Sequence, residues 1–119
     1  MNALRRGQDT TSSTELHMLR AVLREMVRVA ERAVEGASEV RLAVVPGAED
    51  DSDVARLRQA FNGLLDRTDA FSREVSGALE AISQRQYYRE VLPAGMNGQF
   101  RRGAMAINYA RDAMVAADE

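Results

Sequence analysis

Tyr87 and Tyr88 stand side by side in RQYYREVLPAGMNGQF (residues 85–100), a stretch that interrupts two runs of regular helical pattern. Phenolic hydroxyls donate and accept hydrogen bonds, and tyrosine is one of the side chains that ligate haem iron. A haem or small-molecule pocket also needs a second ligand or several converging polar groups, and the surrounding sequence offers neither. His17 is the single histidine. A phosphoacceptor histidine usually has an acidic residue directly after it, where this chain has Met18. Asp50, Asp51 and Asp53 bring oxygen donors close together, as a cation site would. The same acids suit a helix N-terminus, whose partial positive charge they complement. There is no nucleophile elbow, no phosphate-cradling glycine loop and no metal-ligand spacing. With no cysteine, disulfides and thiolate sites are excluded. The expectation is a chain that is not an enzyme and carries no cofactor or metal. The tyrosines then serve as packing anchors of a connector, and His17 as a surface residue.

The elements that must position these residues are constrained by composition. At 119 residues the chain suits one domain, or two very small ones sharing a core. All 16 basic residues are arginine, and the net charge of −2 is spread over mixed signs. That lacks the single-sign field a nucleic-acid surface needs. No apolar run approaches the roughly 20 residues that cross a bilayer, and MNALRRGQDTTSS lacks the apolar centre of a signal peptide. A cytoplasmic segment is expected, with or without a membrane anchor elsewhere.

Residues 1–11 are polar and aperiodic and read as a frayed, disordered arm. Ser12 and Glu15 have capping-box spacing. Leu16, Leu19, Leu23, Met26, Ala30 and Ala33 then follow at alternating steps of three and four, a heptad seam that Gly36 ends. Val40, Leu42 and Val44 alternate with polar or small residues, an extended connector with one apolar side, and Pro46-Gly47 turns it. The seam returns at Val54, Leu57, Phe61, Leu64, Thr68, Phe71, Val75, Ala78 and Ile82, which predicts one long helix. A third helix is predicted from about Gly98, capped by Asn97, with Phe100, Gly103/Ala104, Ile107, Ala110 and Met114 on its seam. Tyr87 or Tyr88, Val91 and Leu92 would anchor the second connector, with Pro93, Gly95 and Met96 making and closing its turn. Seams this narrow point to coiled-coil-like packing, with the other two helices of the chain and with another copy of it as the expected partners.

Displaced by 46 residues, SDVARLRQAFNGLLDR falls on GQFRRGAMAINYARDA: Val54 on Phe100, Phe61 on Ile107, Asn62 on Asn108, Asp66 on Asp112. The plan is helix, connector, helix, used twice. SDVARLRQAFNGLL resembles the second-helix signature of HAMP signalling domains, with Asp53, Val54, Leu57, Phe61, Asn62 and Leu64 in its places. Gly36 stands where such domains end their first helix, and Val40 and Leu42 where their connector packs. The longer string NGLLDRTDAF…YYR…GMNGQF…INYA resembles a segment of bacterial methyl-accepting chemotaxis proteins. The pattern departs in having no proline early in the first helix, Asp53 where glutamate is commoner, and Gln99 in the second unit. The resemblance implies an all-α fold: a tandem of HAMP-like units, 12–68 and a divergent 62–117, forming parallel four-helix bundles on homodimerisation. It implies a signal relay whose signalling and packing residues include Tyr87, Tyr88, Phe100, Ile107 and Asn108. Its partners would be a downstream output domain or a chemotaxis kinase complex, reached through a methylation helix and contact tip outside these residues. The rival readings are a self-contained ligand-binding helical sensor and a structural adaptor that only dimerises its partners.

Overall fold

A computed structural model describes residues 2–93 and 95–118, with side chains from Ser12 onward. Among the described residues the fold is all-α: helix α1 over Asn2–Val34, α2 over Ser52–Ser83 and α3 over Gly98–Asp118. Connector 1 joins α1 to α2, and connector 2 joins α2 to α3. The arm expected at residues 1–11 is corrected: residues 2–11 belong to α1. Once the heptad-bearing turns have formed, each further residue adds a hydrogen bond with no new nucleation cost, and Ala3, Leu4, Arg5 and Arg6 are good helix formers. Ser12 and Glu15 therefore lie inside the helix and do not cap it.

The helix starts that follow have local causes. The Asp51 carboxylate accepts the backbone N–H groups of Asp53 (3.0 Å) and Val54 (2.9 Å), an N-cap for α2. Asp53 is exposed in the first turn, where its charge complements the helix dipole. Asn97 precedes α3, and its carbonyl accepts the Phe100 N–H at 3.2 Å.

The chain divides into two compact units, residues 1–65 and 66–119, so α2 contributes its first part to one and its second part to the other. In unit 1 the buried apolar side chains are Val22 and Val29 of α1 and Leu42 and Ala48 of connector 1. In unit 2 they include Ala78, Val91, Met96 and Ala104, with Phe71, Phe100 and Ile107 packed around them. The rings of Phe71 and Phe100 meet edge to face, centroids 5.5 Å apart. Gly103 makes that possible: a methyl group there would lie 2.9 Å from the Phe71 ring.

Much of the heptad seam is not used inside the single chain. Leu16, Leu19 and Leu23 are exposed, and so are Val27 and Val34 on the same side of α1. On α2, Leu57 and Leu64 are exposed while Phe61 is half-buried. The covered face of α1, carrying Val22 and Val29, is a different one. On α3 the expected seam residues Ala110 and Met114 are exposed, and Arg111 and Val115 take the more covered positions.

Candidate functional site: two asparagine-clamped connectors

Both connectors begin with the same helix ending. At the end of α1, the Gly36 N–H donates to the Ala33 carbonyl (3.0 Å) and the Ala37 N–H to the Arg32 carbonyl (3.1 Å). At the end of α2, the Arg85 N–H donates to Ile82 (2.9 Å) and the Gln86 N–H to Ala81 (2.7 Å). Each is a Schellman ending, which requires a left-handed residue after the last turn. Gly36 supplies it with φ 88°, and Arg85 with φ 58°. An arginine there is strained, because its Cβ crowds the carbonyl that follows.

Next comes the clamp. Asn62 on α2 accepts the Leu42 N–H through Oδ1 at 2.7 Å and donates its Nδ2 hydrogen to the Leu42 carbonyl at 3.1 Å. Asn108 on α3 does the same to Val91, both bonds at 2.8 Å. A primary amide carries one donor and one acceptor side by side, so it pairs with an extended residue as a neighbouring strand would. Leu42 is 7% exposed and Val91 0%, so each clamp also seats an apolar side chain in the core. The sequence repeat that aligned Asn62 with Asn108 therefore has a structural counterpart: one clamp, built twice.

Each connector then turns. The Ala48 N–H donates to the Val45 carbonyl (3.0 Å) with Gly47 at φ 89°, and the Met96 N–H to Pro93 (3.0 Å) with Gly95 at φ 80°. A positive φ at the third position of such a turn is what glycine permits. Ala48 and Met96 are buried directly after the turn. The clamped residue lies 20 positions before its asparagine in unit 1 and 17 in unit 2, so connector 2 is the shorter.

The expected site residues distribute as follows. Gly36, Leu42, Asn62 and Asn108 form the repeated device, and Val40, Val54, Phe61, Phe100 and Ile107 are half-buried around it. Leu57 and Leu64 face outward on α2. Two anchors require correction. Tyr88 is 81% exposed and Leu92 63%, while Val91 and Met96 hold the connector. Alternation along an extended chain puts Val91 inward, and its neighbour Leu92 must then point out. Val44 is likewise exposed, because the chain turns at Val45 and Ala48 takes the inner place. Tyr87 is half-buried, and its hydroxyl donates to the Asp118 carboxylate, a bond that raises the phenol pKa above its ordinary value. His17 is exposed on α1.

Three further side chains hold the connectors. Glu25 on α1 accepts the Ala43 N–H at 2.8 Å and pairs with Arg28 at 2.5 Å. Arg28 also reaches the Arg41 carbonyl at 3.4 Å. The Arg28 hydrogen bond and the Ala43 N–H hold the Glu25 carboxyl below its usual pKa, against the opposing effect of burial. Arg111 on α3 donates to the Tyr87 carbonyl at 2.9 Å and pairs with Glu90 at 3.2 Å. The opposite charges of Glu25 and Arg28, three apart on one helix, were the signal available in the sequence. Nothing in it placed Ala43 beside them.

The chain is similar to a methyl-accepting chemotaxis protein of Paramagnetospirillum magneticum, 32% identical over 92 residues that make up 77% of this chain. This similarity supports a chemoreceptor-related region. The chain spans only 20% of that relative's length. No family model matches the sequence. No solved structure matches it. Among the described residues, no helix is long and apolar enough to cross a membrane.

Proposed function

We propose that this chain is a signal-relay segment of a chemoreceptor-type protein, in which two HAMP-like units pass a change of helix packing toward a downstream output domain. The observation that carries the reading is the repeated device: a Schellman ending, an asparagine clamp and a glycine turn, present in both units. Such a connector ties the end of one helix to the side of the next while leaving both helices long and continuous, as a transmission rod requires. Two packings of near-equal energy then carry the signal. No reaction is assigned to the chain, and the relay would act at the cytoplasmic side of its receptor. The output domain or chemotaxis kinase complex would be reached through segments outside these residues.

The relay is a parallel homodimer. Leu16, Leu19, Leu23 and Val27 recur along α1 at steps of three and four, all exposed in the single chain. Such a stripe is buried by an identical helix laid alongside, each Leu gaining about 1.5–3 kcal/mol when fully covered. Light scattering tests this: the chain runs as a dimer, and Leu19→Glu/Leu23→Glu runs as a monomer. A wild-type monomer at high concentration would end the proposal. For transmission, the chain is fused ahead of a reporter kinase. Phe61→Ala or Asn62→Leu then biases output in one direction while the dimer persists. Output that stays unchanged with an intact dimer favours the purely structural adaptor.

A further inference from the structure

The two connectors are built alike but tied differently. Connector 1 is held by polar bonds from both of its helices: α2 through Asn62, and α1 through Glu25 on the Ala43 N–H and Arg28 on the Arg41 carbonyl. Gly36 with Arg85 and Leu42 with Val91 align the units by the same displacement of 49 positions. That alignment puts Glu74 at the place of Glu25, Gly77 at that of Arg28, and Leu92 at that of Ala43. Among the described residues, neither the Glu74 carboxylate nor the Leu92 N–H has a hydrogen-bond partner. Gly77 has no side chain, and the Arg89 guanidinium lies over it.

Beyond the helix ending, whose Arg85 and Gln86 N–H groups stay bonded to Ile82 and Ala81 of α2, the polar ties of connector 2 among the described residues run to α3 instead. Asn108 clamps Val91, Arg111 holds the Tyr87 carbonyl and pairs with Glu90, and Asp118 accepts the Tyr87 hydroxyl. Toward α2, past that ending, the Arg89 side chain lies over Gly77 without a hydrogen bond to the described residues of α2, and the rest of the contact is apolar. Val91 and Met96 pack with Ala78, which replaces the larger Val29 of unit 1 under the same alignment. Apolar contact is non-directional and tolerates sliding, whereas a hydrogen bond fixes register. The joint between α2 and connector 2 is the strained residue Arg85, φ 58°.

From these ties we infer that connector 2 and α3 move as one body against α2, hinged at Arg85, while connector 1 locks α1 to α2; unit 2 is the yielding unit. The inference deepens the relay reading and rests on it only for what the motion is used for.

Residue-resolved amide exchange on the isotopically labelled full chain reads the mechanics without any output domain. Each rate is normalised to its unstructured value. The Leu92 amide exchanges about tenfold or more faster than the Ala43 amide, the difference expected for one missing hydrogen bond. Equal protection at the two positions overturns the inference. Glu25→Ala speeds exchange at Ala43 about tenfold and leaves Leu92 unchanged; an unaltered Ala43 rate overturns it also. Gly77→Arg/Arg89→Val rebuilds the unit 1 arrangement beside Glu74, and slows Leu92 about tenfold. A folded variant in which Leu92 is not slowed overturns the claim that the missing tie from α2 is what frees connector 2. Failure of the relay reading appears elsewhere, as unchanged output in the fusion, and moves none of these rates.

Discussion

Replacing Asn108 by alanine removes both arms of the clamp on Val91 at once. Val91 is 0% exposed and Asn108 half-buried, so water replaces the lost amide only in part. The two hydrogen bonds, each 2.8 Å long, contribute a net ~0.5–1.5 kcal/mol apiece. Leaving a buried N–H and carbonyl unpaired costs about 1–3 kcal/mol for each group that finds no other partner. These amounts overlap, since an unpaired group is the other side of a lost bond, and together they give a loss of about 2–4 kcal/mol. The corresponding change in unit 1, Asn62→Ala, costs less, about 1–2 kcal/mol. Leu42 is 7% exposed, and Glu25 still holds the next residue of that connector. Asn108→Asp keeps the acceptor for the Val91 N–H but turns a carboxylate oxygen toward the Val91 carbonyl, and destabilises as much as alanine. Urea unfolding of the full chain, followed by far-UV circular dichroism, measures all three against wild type. A loss below about 0.5 kcal/mol for Asn108→Ala, the range of ordinary surface substitutions, would refute the claim that the clamp holds the connector. A larger loss for Asn62→Ala than for Asn108→Ala would refute the account of the second tie.

Other perturbations follow from the same contacts. Arg85→Gly relieves a left-handed arginine and stabilises by about 0.5–1 kcal/mol after the added chain entropy of glycine is subtracted, whereas Gly36→Ala destabilises by about 1 kcal/mol; thermal melts compare the pair. Gly103→Ala places a methyl group 2.9 Å from the Phe71 ring and lowers stability by about 1–3 kcal/mol, visible as a reduced urea midpoint. Glu25 has its carboxyl pKa lowered in the folded chain, so its contribution is present above the ordinary carboxylate range and is lost as pH falls through the folded value. Melting temperatures from pH 7 down to pH 3 therefore fall less steeply in Glu25→Gln than in wild type.

Helix type and extent along the seams were legible in the amino-acid sequence because a step of three and four residues belongs to one secondary structure alone. The Gly36 ending, the Pro46-Gly47 turn and the pairing of Asn62 with Asn108 were legible for a similar reason. Each rests on a residue type whose backbone or side-chain chemistry is nearly unique. The start of α1 was not, since polar residues 2–11 have no periodicity and their helix is inherited from the turns that follow. Arg85 was hidden because nothing about arginine announces a left-handed backbone; only the hydrogen bonds of the ending place it there. The sequence by itself determined that the chain forms long helices joined by two extended connectors, with an apolar stripe along α1. Only the tertiary structure decided which side chains fasten those connectors. A bond such as Glu25 to the Ala43 N–H joins positions 18 residues apart, and its acceptor finds that donor only after helix and connector have been laid together.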